Sequence, residues 1–280
     1  MVKADIALRN SAVMAKSKTN AEKKYTFITE MKKHKQKYLM ILPVIIFYLL
    51  FCYKPMYGII IAFQDYSPST GFLGSEWVGF KHFKDFITGI YFGRIMKNTL
   101  LISFYDIIFG FPVPIILALL LNEIKTSWFK RTVQTISYLP HFISVVVICG
   151  ILKDFCMSTG FFNEILSTFY HGDGIPFLSE AKYFRTIFTA TNIWETAGWS
   201  SIIYLAALAS INPDLYEDAI VDGAGRFKQM FNITIPGILP TIATLLILRM
   251  GKILHVGFEK IILLYNSSTK ETAEVISSFV

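Results

Sequence analysis

Five apolar stretches recur along this chain of 280 residues, and no other feature limits its fold so strongly. A helix needs about 20 mainly apolar residues to cross a bilayer. The stretches lie at roughly 38–57, 98–121, 133–156, 185–210 and 238–264, and the second ends in Ile115-Ile116-Leu117-Ala118-Leu119-Leu120-Leu121. Lipid offers backbone N–H and C=O groups no partner, so spans of this kind form helices that satisfy those groups internally. The chain is therefore predicted to be an all-α integral membrane protein. Composition agrees. Hydrophobic residues make up 53% and charged residues only 17%, against about a quarter charged in soluble domains. A disordered chain is excluded, because it needs low hydrophobicity. Cys52, Cys149 and Cys156 all lie in or beside apolar runs. They read as buried structural thiols, not as a disulfide framework or a metal site.

The net charge of +7 is concentrated at one end. Residues 1–37 hold ten basic and three acidic side chains, and the remainder of the chain is balanced. The basic character therefore does not point to nucleic acid, and no nucleic-acid partner is expected. A basic tail directly before an apolar run is kept in the cytoplasm. The run from Tyr38 continues past Pro55 to Phe63 with no small-residue cleavage site after it. It reads as an uncleaved anchor rather than a signal peptide. The predicted organisation is a cytoplasmic tail at 1–37 and a transmembrane domain at 38–280. With the tail inside, Lys and Arg number fifteen in the inside segments 1–37, 122–132 and 211–237. They number six in the outside segments 57–97, 157–184 and 265–280. The asymmetry supports that orientation in a cell membrane. In the first outside segment Phe80, Phe83 and Phe86 recur between lysines. That pattern predicts a short amphipathic helix, lying on the outer interface or packed on the bundle.

The inside segment after the fourth span is the most informative. Asn212-Pro213 opens a helix, with Asn as cap and Pro in the first turn. Asp214, Glu217 and Asp218 favour its positive N-terminus. Leu215, Ala219 and Ile220 form an apolar stripe, and Gly223 and Gly225 end or bend the helix. A second short helix, 226–232, follows, and Pro236 and Pro240 open the fifth span. The whole reads as a helix-turn-helix on the cytoplasmic face, suited to docking into a groove on a partner.

Glu217, Ala219, Asp222, Gly223, Ala224, Pro236 and Pro240 resemble, in order and spacing, the EAA loop of permease subunits of binding-protein-dependent ABC importers. Asp218 stands where that family usually has Ala. The resemblance extends to Lys54-Pro55-Met56-Tyr57-Gly58, to Ile61–Pro68, to Val78-Gly79-Phe80 and to Val256-Gly257-Phe258-Glu259 with Leu263-Leu264-Tyr265-Asn266. It covers about 38–280, and it is similar to the sugar branch that takes oligosaccharides and polysaccharides. It implies a type I ABC importer permease bundle with a coupling loop at 212–236. The family core has six helices and both termini inside. Only five spans are visible, so a truncated C-terminus with the last span missing is expected.

The resemblance also implies partners: a second homologous permease, two ATPase subunits that bind ATP and Mg, an extracytoplasmic solute-binding protein, membrane lipid and a sugar. The permease itself does no covalent chemistry, so no catalytic residue, metal or cofactor is expected in this chain. Glu217 and Asp218 would meet polar or basic groups of the ATPase groove. Ala219 and Ala224 would permit close approach, and Gly223 would supply the turn.

Polar groups within spans are costly and usually face protein or water. At 100° per residue Asn192, Glu195 and Trp199 share one face of the fourth span. Arg249, Lys252, His255, Glu259 and Lys260 fall within about a 140° arc of the fifth. These faces either line the solute path or form structural ion pairs, such as Glu195 with Arg249. Asp106 stands alone in the second span and reads as a packing or capping residue. No Gly-x-x-x-x-Gly-Lys-[Ser/Thr] loop is present, so ATP must be bound by another chain. Two alternatives remain at this level. One is a permease for a non-sugar solute. The other is an intramembrane enzyme, for which His255 and Glu259 lack any accompanying motif.

Overall fold

The computed structural model describes residues 34–169 and 174–280. Nearly all of the predicted basic tail lies outside the described residues. The chain forms two compact units, Met1–Ile87 and Thr88–Val280.

The first unit is built on α1, Lys35–Phe63, a single helix of 29 residues. Its apolar side chains are exposed along its length, Cys52 among them. Cys52 is thus not the buried thiol that its sequence context predicts. An exposed face this large and apolar marks contact with lipid or with another protein. After α1, β1 (Gln64–Asp65) pairs antiparallel with β2 (Glu76–Trp77), Gln64 opposite Trp77. The expected amphipathic helix follows as α2, Lys81–Thr88. Phe63 stacks on Trp77 at 5.7 Å between ring centres, and Phe80 and Phe83 close on it at 5.5 and 5.4 Å. The aromatic spacing read from the sequence therefore serves to pack this turn against the end of α1.

In the second unit α3 (Phe92–Glu123) crosses the fold in 32 residues. The third expected span is instead two helices, α4 (Ser127–Phe142) and α5 (Val145–Phe155), meeting at 101°. Ser144 caps α5 by accepting the Val147 N–H at 3.4 Å. A short helix α6 (Phe161–Ser167) leads on, and the fourth span is α7, Ala181–Ala209. α7 packs closely on α4: a Cβ placed on Gly198 would sit 2.0 Å from the Ser137 carbonyl oxygen. Next come α8 (Asp214–Val221) and α9 (Arg226–Met250). The fifth expected span is broken. α9 stops at Met250, residues 251–257 turn, and α10 (Phe258–Leu264) starts afresh. Among the described residues α1, α3 and α9 are long and apolar enough to cross a membrane, and a fourth crossing is added if α4 and α5 act together. α7 is long enough but carries Lys182, Arg185, Asn192 and Glu195 along its length.

Three wide π-helical turns interrupt these helices, at Tyr48–Tyr53, Asp106–Gly110 and Met230–Thr234. Each ends two residues before a proline: Pro55, Pro112 and Pro236. A helical proline lacks an N–H and crowds the carbonyl four residues back. One extra residue in the turn carries that carbonyl clear. The Phe111 N–H accordingly bonds the Asp106 carbonyl, five residues back, at 3.0 Å. Pro43 and Pro240 sit inside α-helical turns, so proline alone does not impose the wide turn.

Two apolar clusters hold the second unit. One gathers Ile102, Cys149, Cys156, Phe184, Phe188, Ile261 and Leu264. The other joins Ala118, Tyr204, Leu208 and Ile238. The segment after α10, read from the sequence as an outside tail, is firmly tied down. The Asn98 side-chain amide donates to the carbonyls of Glu271 and Glu274 at 2.9 and 3.0 Å. Arg94 pairs with the buried Glu274 at 2.5 Å, and Thr272 donates to the Ala181 carbonyl at 2.8 Å.

Candidate functional site

Two features are candidates for function, a loop between α7 and α9 and a polar cavity within the second unit.

In the loop, the Asn212 side chain accepts the Asp214 N–H at 3.1 Å. Pro213 then stands at the N-cap position of α8, one residue later than the sequence implied. Gly223 ends the helix with φ of +74°, a conformation that costs a side-chain-bearing residue. Its N–H bonds the Ile220 carbonyl at 3.0 Å, and that of Ala224 bonds the Ala219 carbonyl at 2.8 Å. Gly225 caps α9, whose first α-helical turn, Arg226–Gln229, runs into the wide turn Met230–Thr234. Pro236 and Pro240 lie on the α9 stretch that follows, Ile235–Met250.

The loop is fixed at its base and free at its face. Tyr216 and Thr234 share a hydrogen bond at 3.0 Å, tying α8 to α9. Gln229 donates to the Ala224 carbonyl at 2.7 Å. Arg226 reaches Glu123 at the end of α3, at 3.7 Å. Glu217, Asp218 and Asp222 are exposed. So are Leu215, Ile220, Val221, Phe227 and Phe231. Apolar side chains exposed beside carboxylates in this way mark a candidate contact surface.

The cavity has a volume of about 490 Å³. Asp106 enters it from the wide turn of α3, Asn192 from α7, Arg249 from the end of α9, Lys252 and His255 from the 251–257 turn, and Lys260 from α10. These side chains form one network. The Arg249 guanidinium pairs with Asp106, its Nε at 2.9 Å. The Asn192 amide donates to the other Asp106 oxygen at 2.8 Å. Lys260 pairs with Glu195 and lies 3.4 Å from the Asn192 carbonyl oxygen. A Cβ on Gly110 would stand 2.8 Å from an Asp106 carboxylate oxygen and 3.1 Å from the Arg249 guanidinium. Glycine is thus what leaves room for the pair.

This corrects three expectations. Asp106 is not a lone packing residue but the centre of the network. Glu195 pairs with Lys260, not with Arg249. The polar face drawn across a continuous fifth span does not exist, because α9 ends before Lys252. Glycine at 251 and 257 flanks the break, and the missing turn places Lys260 inside while Glu259 points outward, exposed. Of the seven predicted path residues, Asn192, Arg249, Lys252 and His255 line the cavity. Glu195 borders it through Lys260. Trp199 lies outside its lining, stacked on His141 at 4.7 Å with Phe142 edge-on at 5.4 Å. Glu259 also lies outside the lining. Among the described residues no group of three or more His, Cys, Asp or Glu side chains could hold a metal.

Residues 110–257 match the family described as binding-protein-dependent transport system inner membrane component. The chain belongs to that family. The matched region contains the whole loop and the cavity wall from Phe111 to Gly257, while Asp106 and Lys260 lie just outside it. The permease is 44% identical to protein LplB of Bacillus subtilis over 261 residues, covering 93% of this chain and 82% of that protein. It is 47% identical over 262 residues to the polygalacturonan/rhamnogalacturonan transport system permease protein YteP of the same organism, covering 92% and 81%. A crystal structure of a bacterial ABC transporter involved in import of the acidic polysaccharide alginate contains a chain 48% identical to it. That chain superposes with a TM-score of 0.81, covering 90% of this chain and 84% of that one. A second crystal structure, of a bacterial alginate ABC transporter in complex with an alginate pentasaccharide-bound periplasmic protein, contains a chain 47% identical, with a TM-score of 0.81 and coverage of 90% of this chain and 84% of that one. The permease is thus a membrane-embedded transport component of a binding-protein-dependent importer, not an enzyme.

Proposed function

We propose that this permease forms one half of the translocation path of an ATP-driven importer that carries oligosaccharide fragments of polysaccharides, acidic ones among them, into the cell. A second homologous permease completes the path, and two ATPase subunits, which bind ATP and Mg, dock on the 212–236 loop. An extracytoplasmic binding protein delivers the sugar, and the N-terminal tail lies in the cytoplasm. The sugar reading is supported by the names of the similar proteins, which favour it over a non-sugar solute.

The observation that carries the reading is the loop's construction. Its docking face is exposed, while Tyr216, Arg226 and Gln229 bind its base to α9 and α3. Both helices run on to the cavity, through Arg249 and Asp106. A displacement of α8 by the closing ATPase dimer is therefore passed to the cavity wall by rigid helices with two packings, which is the requirement for alternating access. Tyr216–Thr234 is a direct side-chain link between α8 and α9.

The test is made in membranes containing the whole importer. Glu217→Lys and Gly223→Pro should leave the permease inserted while lowering copurification of the ATPase, or separating hydrolysis from stimulation by the binding protein. Unchanged values for both variants would remove the lever. Uptake of a labelled oligosaccharide by the intact complex tests the cargo.

A further inference from the structure

The break between α9 and α10 is placed where a broken helix has a use. Irregular backbone within a membrane protein is tolerated where protein buries it or where it lines a water-filled cavity. In secondary transporters, substrate sites are commonly built at such breaks. Here Lys252, Ile253, His255, Val256 and Gly257 all line the cavity.

The charges around that cavity do not cancel. Asp106 takes Arg249, and Glu195 takes Lys260. Lys252 is the fifth charge. It is exposed, and among the described residues no ion pair includes it. The His255 N–H donates to the Lys252 carbonyl at 2.8 Å, so both side chains rise from one tight turn, and His255 is also exposed.

We propose that Lys252, assisted by His255, is the residue that selects a carboxylate-bearing sugar inside the permease, and that Arg249 is not. The inference rests on the transport function proposed above and assigns its specificity. Arg249 has the better geometry for a carboxylate, a rigid fork that binds in two places. The Nε–Nη2 edge of that fork is already committed to Asp106. Turning it to a substrate would leave the Asp106 carboxylate without its cation, at the cost of a charge-assisted bond. Lys252 carries no such debt. Its ammonium is a compact charge on a flexible stem. It can follow a passing uronate and release it, and a transport site must bind its cargo without holding it. A neutral sugar offers Lys252 hydroxyls alone, which return less of its lost hydration.

The experiment uses the complete importer, with its partner subunits and binding protein, in proteoliposomes. The probe is a labelled oligogalacturonate, and the quantity read is sugar taken up per ATP hydrolysed. Lys252→Gln should lower that ratio about tenfold, the loss of one charge-assisted hydrogen bond. Lys252→Arg, which keeps the charge, should restore most of it, and His255→Gln should give a smaller loss. A wild-type ratio in Lys252→Gln would overturn the assignment. So would Lys252→Arg no better than Lys252→Gln, or failure of Lys252→Gln to assemble, which would place the residue in the scaffold. A wild-type complex that takes up no oligosaccharide would instead remove the transport function on which the assignment rests.

Discussion

Arg249 donates through both Nε and Nη2 to one carboxylate oxygen of Asp106, 143 positions earlier in the chain. The bond joins the wide turn of α3 to the last turn of α9, just before the break. A second pair, Lys260 with Glu195, joins α10 to α7. Burial ranks the two. The Asp106–Arg249 side chains are 26% and 27% exposed, and the Glu195–Lys260 side chains 13% and 7%. Removing one partner of a buried pair costs ~3–5 kcal/mol, because the other charge is stranded. Exposed pairs are worth ~0–1 kcal/mol. Glu195→Ala should therefore destabilise the purified complex by about 3 kcal/mol, and Asp106→Ala by about 1–2 kcal/mol. Thermal unfolding of the two variants in one detergent checks the order. Greater loss in Asp106→Ala would refute the ranking.

Gly110 supports the first pair by its lack of a side chain. A methyl group there would press on the Asp106 oxygen and the Arg249 guanidinium at once. Overpacking of this kind costs ~1–3 kcal/mol. Gly110→Ala should destabilise the wild-type background by that amount. It should cost less when Arg249 is already Ala, since the crowded partner is gone. Equal costs in both backgrounds would show that the glycine serves something other than the pair.

The long helices and the short helix of the 212–236 loop were legible because each depends on local sequence. Apolar length marked α1, α3, α7 and α9, and the Asn-Pro start and Gly223 marked both ends of α8. What escaped was set by distant partners. Asp106 looked solitary because Arg249 and Asn192 come from other helices, and no periodicity relates them. The bend at Ile143–Ser144 and the break at 251–257 lie inside apolar runs, where hydropathy sees continuity. Glycines at 251 and 257 with a histidine and a lysine between them were the available signal, since polar residues beside glycine rarely continue a lipid-facing helix. The anchoring of residues 266–280 by Asn98 and Arg94 had no signal in sequence, because its bonds go largely to backbone carbonyls.

Trp199 separates path from scaffold. Its ring covers His141 and meets Phe142 edge-on, and beside it Gly198 lets α7 touch α4. Stacked aromatic pairs contribute ~0.5–1.5 kcal/mol beyond buried area. Trp199→Ala should lower the melting temperature of the complex along with uptake, and Trp199→Phe should recover the stability. Glu259→Gln, at an exposed position outside the cavity, should leave the melting temperature unchanged. Uptake lost in Trp199→Ala with no change in stability would put the indole on the sugar instead.

The orientation of the chain is open to direct labelling. Fifteen Lys and Arg in the segments read as inside, against six outside, predict that the tail and the 212–236 loop face the cytoplasm. The native thiols set the background for such an experiment. Cys149 and Cys156 are buried, whereas Cys52 is exposed on α1 and must first be replaced. In a Cys52→Ser background, cysteines introduced at Lys18 and Lys228 should react with a membrane-impermeant maleimide in inverted vesicles and stay silent in intact cells. One at Gly172 should do the opposite. Lys228 stands in the first turn of α9, so its labelling also reports whether the docking loop faces the compartment that holds ATP. Reaction of Lys228→Cys in intact cells would invert the orientation and remove the ATPase from that loop.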